Sequence, residues 1–466
     1  MKQATTDSRT VNVQDLIDSQ RFSGFHWTIL VLCFLVVALD GFDTGAMGFI
    51  APSLVQDWKI SRDTLGPVLS AALVGLGVGA LMAGPIADRI GRKAVLIGSV
   101  FFFGVWSVAA ARATSMEALT VFRLLTGLGL GAAVPNAVTL MSEYAPRRIR
   151  GFVVNAMFMG FAAGLAMGGV VAALLIPRFG WPSVLLAGGI APLLLTVALI
   201  LLLPESVKLL IVRHRSSVKV EQLLRRLAPG TPLDGCVFVS EEPAGAGADK
   251  RGPVSQLLSQ RYRLGTFMLW LSYFMCLAVF YLLTNWLPTL FKASGFTLRA
   301  SVVTTSLFHV GGCLGILVAG WMMDRFKAVS VVALFYVLTA ALVIVVGLNL
   351  GHPEWLGVLI FVAGVAMSGA AASMAPIAAE FYPTTSRATG VAWLLAVGRL
   401  GAVGGAFGGA VLMGLGWHFG AIFGLLAVPL VIAALALIVM AREPAYVEHD
   451  VADDGMAVAS RSHSHS

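Results

Sequence analysis

Charge is what this sequence has little of. Only 12% of its 466 residues are Asp, Glu, Lys or Arg, against about 25% in a soluble domain. That deficit excludes a water-facing surface over most of the chain, and with it a soluble enzyme. Cysteine is also scarce. Cys33, Cys236, Cys276 and Cys313 are scattered, with no metal-ligand spacing and no disulfide framework, so free thiols are expected. No cleavable leader is apparent, because a polar stretch of about 25 residues precedes the first apolar run.

Apolar length takes the place of charge. Hydrophobic residues make up 58% of the chain, and the mean hydropathy is +0.86. Runs of about 20 apolar residues cross a bilayer as helices, and twelve can be drawn here. The expected fold is an all-α membrane protein of twelve transmembrane helices in two six-helix halves, 27–203 and 264–441. Polar segments 1–26 and 442–466 flank the halves, and 204–263 is expected as a linker loop. The 51 glycines suit such a bundle, since small residues let membrane helices approach closely.

The basic residues set the orientation. Lys and Arg fall roughly four to one on the side that holds the N-terminus and the long central segment. The bias persists without that segment, which places both termini in the cytoplasm by the positive-inside rule. The net charge of +8 therefore reads as topology and contact with anionic lipid rather than nucleic-acid binding.

The chain also repeats itself. Gly84-Pro85-Ile86-Ala87-Asp88-Arg89-Ile90-Gly91-Arg92-Lys93 follows the second span. Gly320-Trp321-Met322-Met323-Asp324-Arg325-Phe326-Lys327 follows the eighth. Repeated halves are a transporter signature. The first segment resembles the loop signature of the major facilitator superfamily. The second departs from it, with Phe326-Lys327 where a full motif has a Gly-Arg pair. The first span reads Asp40-Gly41-Phe42-Asp43-Thr44-Gly45-Ala46-Met47-Gly48-Phe49-Ile50-Ala51-Pro52. It is similar to the aromatic acid:proton symporters, and among them to the 4-hydroxybenzoate/protocatechuate transporters. The resemblance covers roughly 11–445. It implies a major facilitator fold and proton-coupled import of an aromatic acid by alternating access in the inner membrane. It implies a monomer, with protons as the coupling ion and no other cofactor or metal. An exporter or antiporter of organic anions and a membrane sensor of aromatic acids are the alternatives.

Asp40 and Asp43 are three apart, so they share one helix face. An ionised side chain inside a membrane helix costs about 2.5–3.5 kcal/mol on insertion scales. A like-charged neighbour adds to that cost, and taking up a proton relieves it. The pair therefore has what a coupling site needs, although the two could equally hydrogen-bond a glycine-broken helix. Arg123 opens Arg123-Leu124-Leu125-Thr126-Gly127-Leu128-Gly129-Leu130-Gly131, and the resemblance links this arginine to proton coupling. A guanidinium keeps its charge and fits a carboxylate with two bonds. Arg399 lies among Gly398, Gly401, Gly404, Gly405, Gly408 and Gly409, a packing pattern that points its charge into the bundle, where it is expected to meet the substrate carboxylate. Phe274, Tyr281, Asn285 and Trp286 of the seventh span, with Trp393 of the eleventh, are candidates for the aromatic ring and its hydroxyl. Trp286 equally suits an interfacial belt. Gly84, Asp88, Arg89, Gly91, Arg92, Glu143, Asp324, Arg325, Glu380 and Arg387 are expected as a cytoplasmic gate, in which a network rather than any single exposed pair carries the energy. The fifth-span glycines Gly151, Gly160, Gly164, Gly168 and Gly169 resemble an antiporter motif, but Leu165 stands where that motif has proline, which favours import. His309, in the eighth span, is either a satisfied polar contact or a proton relay.

Overall fold

The computed structural model describes residues 10–20, 22–212, 217–227, 237–239, 253–349, 353–383, 386–443 and 446. Twelve helices in it are long and apolar enough to cross a membrane. They are α1 (Gly24–Trp58), α2 (Leu65–Ile90), α3 (Arg92–Ala110), α4 (Met116–Tyr144), α5 (Arg150–Phe179) and α6 (Pro182–Leu202), then α7 (Arg263–Ala293), α8 (Leu298–Met323), α9 (Ala328–Leu348), α10 (Pro353–Phe381), α11 (Arg387–Gly414) and α12 (Phe419–Ala441). Their number is the number expected from the apolar runs. Several run longer than a bilayer requires. The 35 residues of α1 extend about 52 Å at 1.5 Å per residue, well beyond a hydrocarbon core of about 30 Å. Eight of the twelve helices carry an internal proline, Pro52, Pro85 and Pro135 among them. Membrane helices tolerate this because neighbouring groups satisfy the freed carbonyls.

The repeat seen in the two loop motifs extends to the packing. In the first half, α1 lies against α5: a Cβ on Gly164 would strike the Ala38 carbonyl, and one on Gly41 the Phe161 carbonyl. In the second half, α7 meets α11 in the same way, with Gly401 on the Phe274 carbonyl and Gly405 on that of Ala278. The pair α2–α4, closed by Gly75 on Leu124 and Gly131 on Leu76, is matched by α8–α10, closed by Gly311 on Phe361 and Gly364 on Phe308. Finally α3–α6, joined at Gly104 and Gly189, is matched by α9–α12, joined at Gly347 and Gly420. With no hydrophobic force between helices in lipid, such close backbone approach is what holds a bundle together.

By packing, the chain forms two compact units. The first holds 1–43, 74–164 and 185–248; the second holds 44–73, 165–184 and 249–466. The unit boundaries thus run through α1, α2, α5 and α6 rather than through the central segment. Within the second unit, Gly48 of α1 lies on the backbone of Thr284 and Asn285 in α7, and Gly169 of α5 lies on Ser306 in α8.

The central segment is more than a loop. It contains helices Val207–Val212, Ser217–Leu227 and Pro253–Leu257. It also contains a strand, β2 (Val237–Val239), that pairs in parallel with β1 (Thr10–Asn12). The helix Val13–Ser19 follows β1, with the Asn12 side chain accepting from the Gln14 N–H. Its Val13 and Ile17 share one buried cluster with Val207, Leu210, Val220, Leu224 and Leu227. Asp18 accepts from the Arg147 backbone N–H at 2.7 Å and lies 3.4 Å from its guanidinium. The described amino-terminal residues from Thr10, the loop after α4 and the described residues of the central segment up to Val239 are therefore one packed layer of the first unit. Cys236 and most of 442–466 lie outside the described residues; Cys33, Cys276 and Cys313 are free thiols.

The glycine contacts give a direct test. Gly164→Ala places a methyl where the Ala38 carbonyl stands, while Gly404 has nothing within 4 Å of its added carbon. Gly164→Ala is expected to destabilise the purified protein by about 1–3 kcal/mol, read as a lower thermal midpoint in detergent, and Gly404→Ala to leave it unchanged or higher. Equal midpoints for the two would refute the close α1–α5 approach.

Candidate functional site

In the first unit the buried charges are brought together. Arg123 donates from Nη1 to Asp43 Oδ1 at 2.6 Å and from Nη2 to Oδ2 at 2.8 Å. A third contact runs from Nη2 to the Asp43 carbonyl at 3.3 Å. Both side chains are almost fully buried, at 1% and 2% exposure. This is the two-bond fork for which a guanidinium is shaped. Arg123 reaches it because it stands on the buried face of α4 with Leu119, Thr126, Gly127 and Leu130. Asp43 reaches it because the turn of α1 just before it is held against α5 at Gly41 and at Ala38–Gly164. Arg123 Nε is buried and makes no hydrogen bond. Asp40, one turn earlier on α1, is also buried. The structure therefore brings together Asp43 and Arg123 as a pair, with Asp40 on the same helix.

A second charged cluster forms where α3 begins and α4 ends. Arg92 pairs with Glu143, whose other oxygen accepts from Ser206 Oγ at 2.5 Å. Glu205 accepts from the Lys93 N–H at 3.1 Å and the Ser206 N–H at 3.0 Å, and its own carbonyl accepts from the Tyr144 hydroxyl. A carboxylate at the first turn of α3 satisfies free N–H groups and complements the helix dipole. Gly91 has to be glycine here. Its φ is +109°, and an added Cβ would press on the Glu205 carboxylate. Glu205 and Ser206 were missed by sequence reasoning; the signal available was Pro204-Glu205-Ser206 directly after the sixth span.

The other expected gate residues fall elsewhere. Gly84 and Arg89 are exposed, and the Asp88 side chain lies outside the described part of the structure. Asp324 is exposed, and the Arg325 guanidinium lies 4.2 Å from the centre of the Trp321 ring. Glu380 accepts from the Tyr446 hydroxyl at 3.1 Å. Arg387 starts α11, with its Nε buried and unbonded.

In the second unit, Arg399 is half-buried, and its Nη1 is buried with no hydrogen bond. Phe274 and Tyr281 are half-buried. Asn285 is buried, and its amide donates to the Tyr281 carbonyl at 2.8 Å. Two of the ring candidates are placed differently from the expectation. Trp286 is fully buried, donates to the Ala406 carbonyl at 2.7 Å and fills the space left by Gly409. Its polar atom is spent on holding α7 to α11. Trp393 stacks on Trp270 at 5.7 Å and stands 43% exposed on the face of α11 that also carries Leu400, Phe407 and Val411. That apolar outer stripe suits lipid and the interfacial belt better than a ligand. His309 is 1% exposed, and neither ring nitrogen makes a hydrogen bond. A buried donor or acceptor left unmade costs about 1–3 kcal/mol.

Twelve apolar helices in repeated halves, with charged side chains buried inside them, define a multi-pass membrane transporter. Residues 33–309 and 269–459 match the Major Facilitator Superfamily. The chain belongs to that superfamily, in the branch that contains the curated 4-hydroxybenzoate transporters, and it is a transporter rather than an enzyme. It is 48% identical to the 4-hydroxybenzoate transporter PcaK of Pseudomonas aeruginosa, over 92% of this chain and 95% of that one. It is 45% identical to a gallate transporter of Pseudomonas putida, over 92% and 94%. Its fold matches the crystal structure of a D-xylose-proton symporter with a TM-score of 0.69 at 18% identity, over 89% of this chain and 97% of that one.

Breaking the buried pair should be costly. Arg123→Ala or Asp43→Ala leaves one charge buried without its partner, a loss of about 3–5 kcal/mol, whereas the double substitution removes both charges. The expected result is that Asp43→Ala/Arg123→Ala melts higher in detergent than either single variant. Additive losses would show that the two residues do not depend on each other.

Proposed function

We propose that the protein imports aromatic carboxylates such as 4-hydroxybenzoate or protocatechuate together with protons, by alternating access in the cell inner membrane. The observation that carries this reading is the buried two-bond pair between Asp43 and Arg123, with a second buried carboxylate, Asp40, one turn away. The relatives named for 4-hydroxybenzoate and gallate support the substrate class. The distribution of Lys and Arg supports cytoplasmic termini, and the working unit is a monomer. Protons are the coupling ion, and no other cofactor is invoked.

The chemistry follows from charge. With Asp43 ionised, the pair is neutral and tolerable in a low-dielectric interior. A proton bound to Asp43 cancels the carboxylate and leaves the Arg123 guanidinium unbalanced, a cation that favours an incoming anion. Release of the proton restores the pair and removes that attraction. Proton and anion are thus bound together and released together, which is what symport requires. Arg399, with a buried and unused N–H, is assigned the substrate carboxylate, and Phe274, Tyr281 and Asn285 of α7 are assigned the ring. The Arg92–Glu143–Ser206 cluster serves as the cytoplasmic gate, with Gly91 and Glu205 shaping it. The energy suffices. One proton with one monoanion moves no net charge, and each pH unit supplies about 1.36 kcal/mol, enough for about tenfold accumulation.

The test is uptake of labelled 4-hydroxybenzoate into cells or proteoliposomes with an imposed pH gradient. The wild type is expected to accumulate it and to fall to simple equilibration with a protonophore. Asp43→Asn, at normal membrane abundance, is expected to lose accumulation by tenfold or more while still exchanging labelled for unlabelled substrate. Protonophore-insensitive uptake, or wild-type accumulation by Asp43→Asn, would refute the coupling.

A further inference from the structure

His309 is a buried polar group that nothing in the reading above uses. It sits near the middle of α8 (Leu298–Met323), the depth at which transporters hold their substrates. A histidine kept in an apolar interior for packing is normally tied down by a hydrogen bond, yet Nδ1 and Nε2 are both buried and unbonded. Its walls are aromatic. The ring of Phe49 in α1 lies T-shaped to the imidazole at 6.1 Å and 84°, and that of Phe308 at 5.3 Å and 77°. Gly169 of α5 lies against both Phe49 and Ser306, so segments of α1, α5 and α8 converge on this spot within the second unit.

We infer that His309 reads the ring hydroxyl of the substrate and sets the preference for hydroxylated over unhydroxylated aromatic acids. This assignment rests on the aromatic-acid reading above and goes beyond it. Neutral imidazole offers one donor and one acceptor. A phenolic hydroxyl also donates once and accepts once, so the two groups complete each other's bonds. A carboxylate fits poorly: it only accepts, and the unprotonated ring nitrogen has nothing to give it. The rings of Phe49 and Phe308 are surfaces against which an aromatic ring packs favourably. A ring lacking the hydroxyl leaves both nitrogens buried and unbonded, as they are here, and gains nothing from them.

The experiment compares uptake of labelled 4-hydroxybenzoate and labelled benzoate by wild type, His309→Phe and His309→Gln, with membrane abundance measured for each. For His309→Phe the expected result is a KM for 4-hydroxybenzoate raised about tenfold and a KM for benzoate changed by less than threefold, so the wild-type preference collapses. His309→Gln, which keeps a donor and an acceptor, is expected to recover much of that preference. A purely packing role would leave the ratio of the two KM values unmoved, because phenylalanine extends the aromatic wall at least as well. An unchanged ratio in His309→Phe, or an equal loss for both acids in both variants, overturns the assignment. Failure of the wild type to take up either acid overturns the aromatic-acid reading as well, which separates the two failures.

Discussion

One interaction constrains the first unit more than any other, the buried pair of Asp43 and Arg123. Neither charge is tolerable alone in a region without water, and each is tolerable with the other. The pair demands that α1 and α4 keep a fixed relation to within a few tenths of an ångström, because both guanidinium nitrogens are used on one carboxylate. The glycine contacts in the turn just before Asp43 supply that fixity: α1 touches α5 backbone to backbone at Gly41 and at Ala38–Gly164. A bond of this kind can be undone by a single proton. Under the symport proposed above, the same interaction holds the helices and responds to the proton, and the two roles need no separate machinery.

The polar ends of the helices follow a different logic. There, Glu143, Tyr144 and Ser206 are buried beside a half-buried Arg92, and buried polar groups need partners, so the structure uses shared groups. Glu143 serves Arg92 and Ser206 at once, and Glu205 serves the first turn of α3 and the chain leaving α6. Tyr144, next to Glu143, closes the cluster through the Glu205 carbonyl. Helix α4 carries Arg123 towards one end and Glu143 and Tyr144 at the other, so one rigid element joins the buried pair to the charged cluster. The layer formed by β1, β2 and the short helices of the central segment packs on this same region through Val13, Ile17, Leu224 and Tyr144.

Much of this was legible in the sequence. The twelve spans follow from apolar run length alone, because lipid imposes one length and forbids unsatisfied backbone. The packing role of Gly401, Gly405 and Gly409 followed from four-residue spacing, and Asp43 and Arg123 stood out as charges inside apolar runs. What stayed hidden depends on long-range partners. Glu205 looks like an ordinary polar residue at a helix exit until the fold sets it beside Gly91 and Lys93. The pairing of Thr10–Asn12 with Val237–Val239 joins segments with no shared pattern. Trp286 and Trp393 could not be sorted from one another by type; only the Ala406 carbonyl and the outer stripe of α11 separate a packing tryptophan from a lipid-facing one. His309 was ambiguous for the same reason, since the presence or absence of a partner is a property of the fold.

The most direct measurement of the central claim is proton movement itself. In a weakly buffered suspension of de-energised cells or proteoliposomes, addition of 4-hydroxybenzoate should make the external medium more alkaline as proton and anion enter together. The account predicts alkalinisation of at least one proton per substrate molecule, and loss of the signal in Asp43→Asn. Substrate uptake with no accompanying pH change, or an unaltered change in that variant, would contradict it.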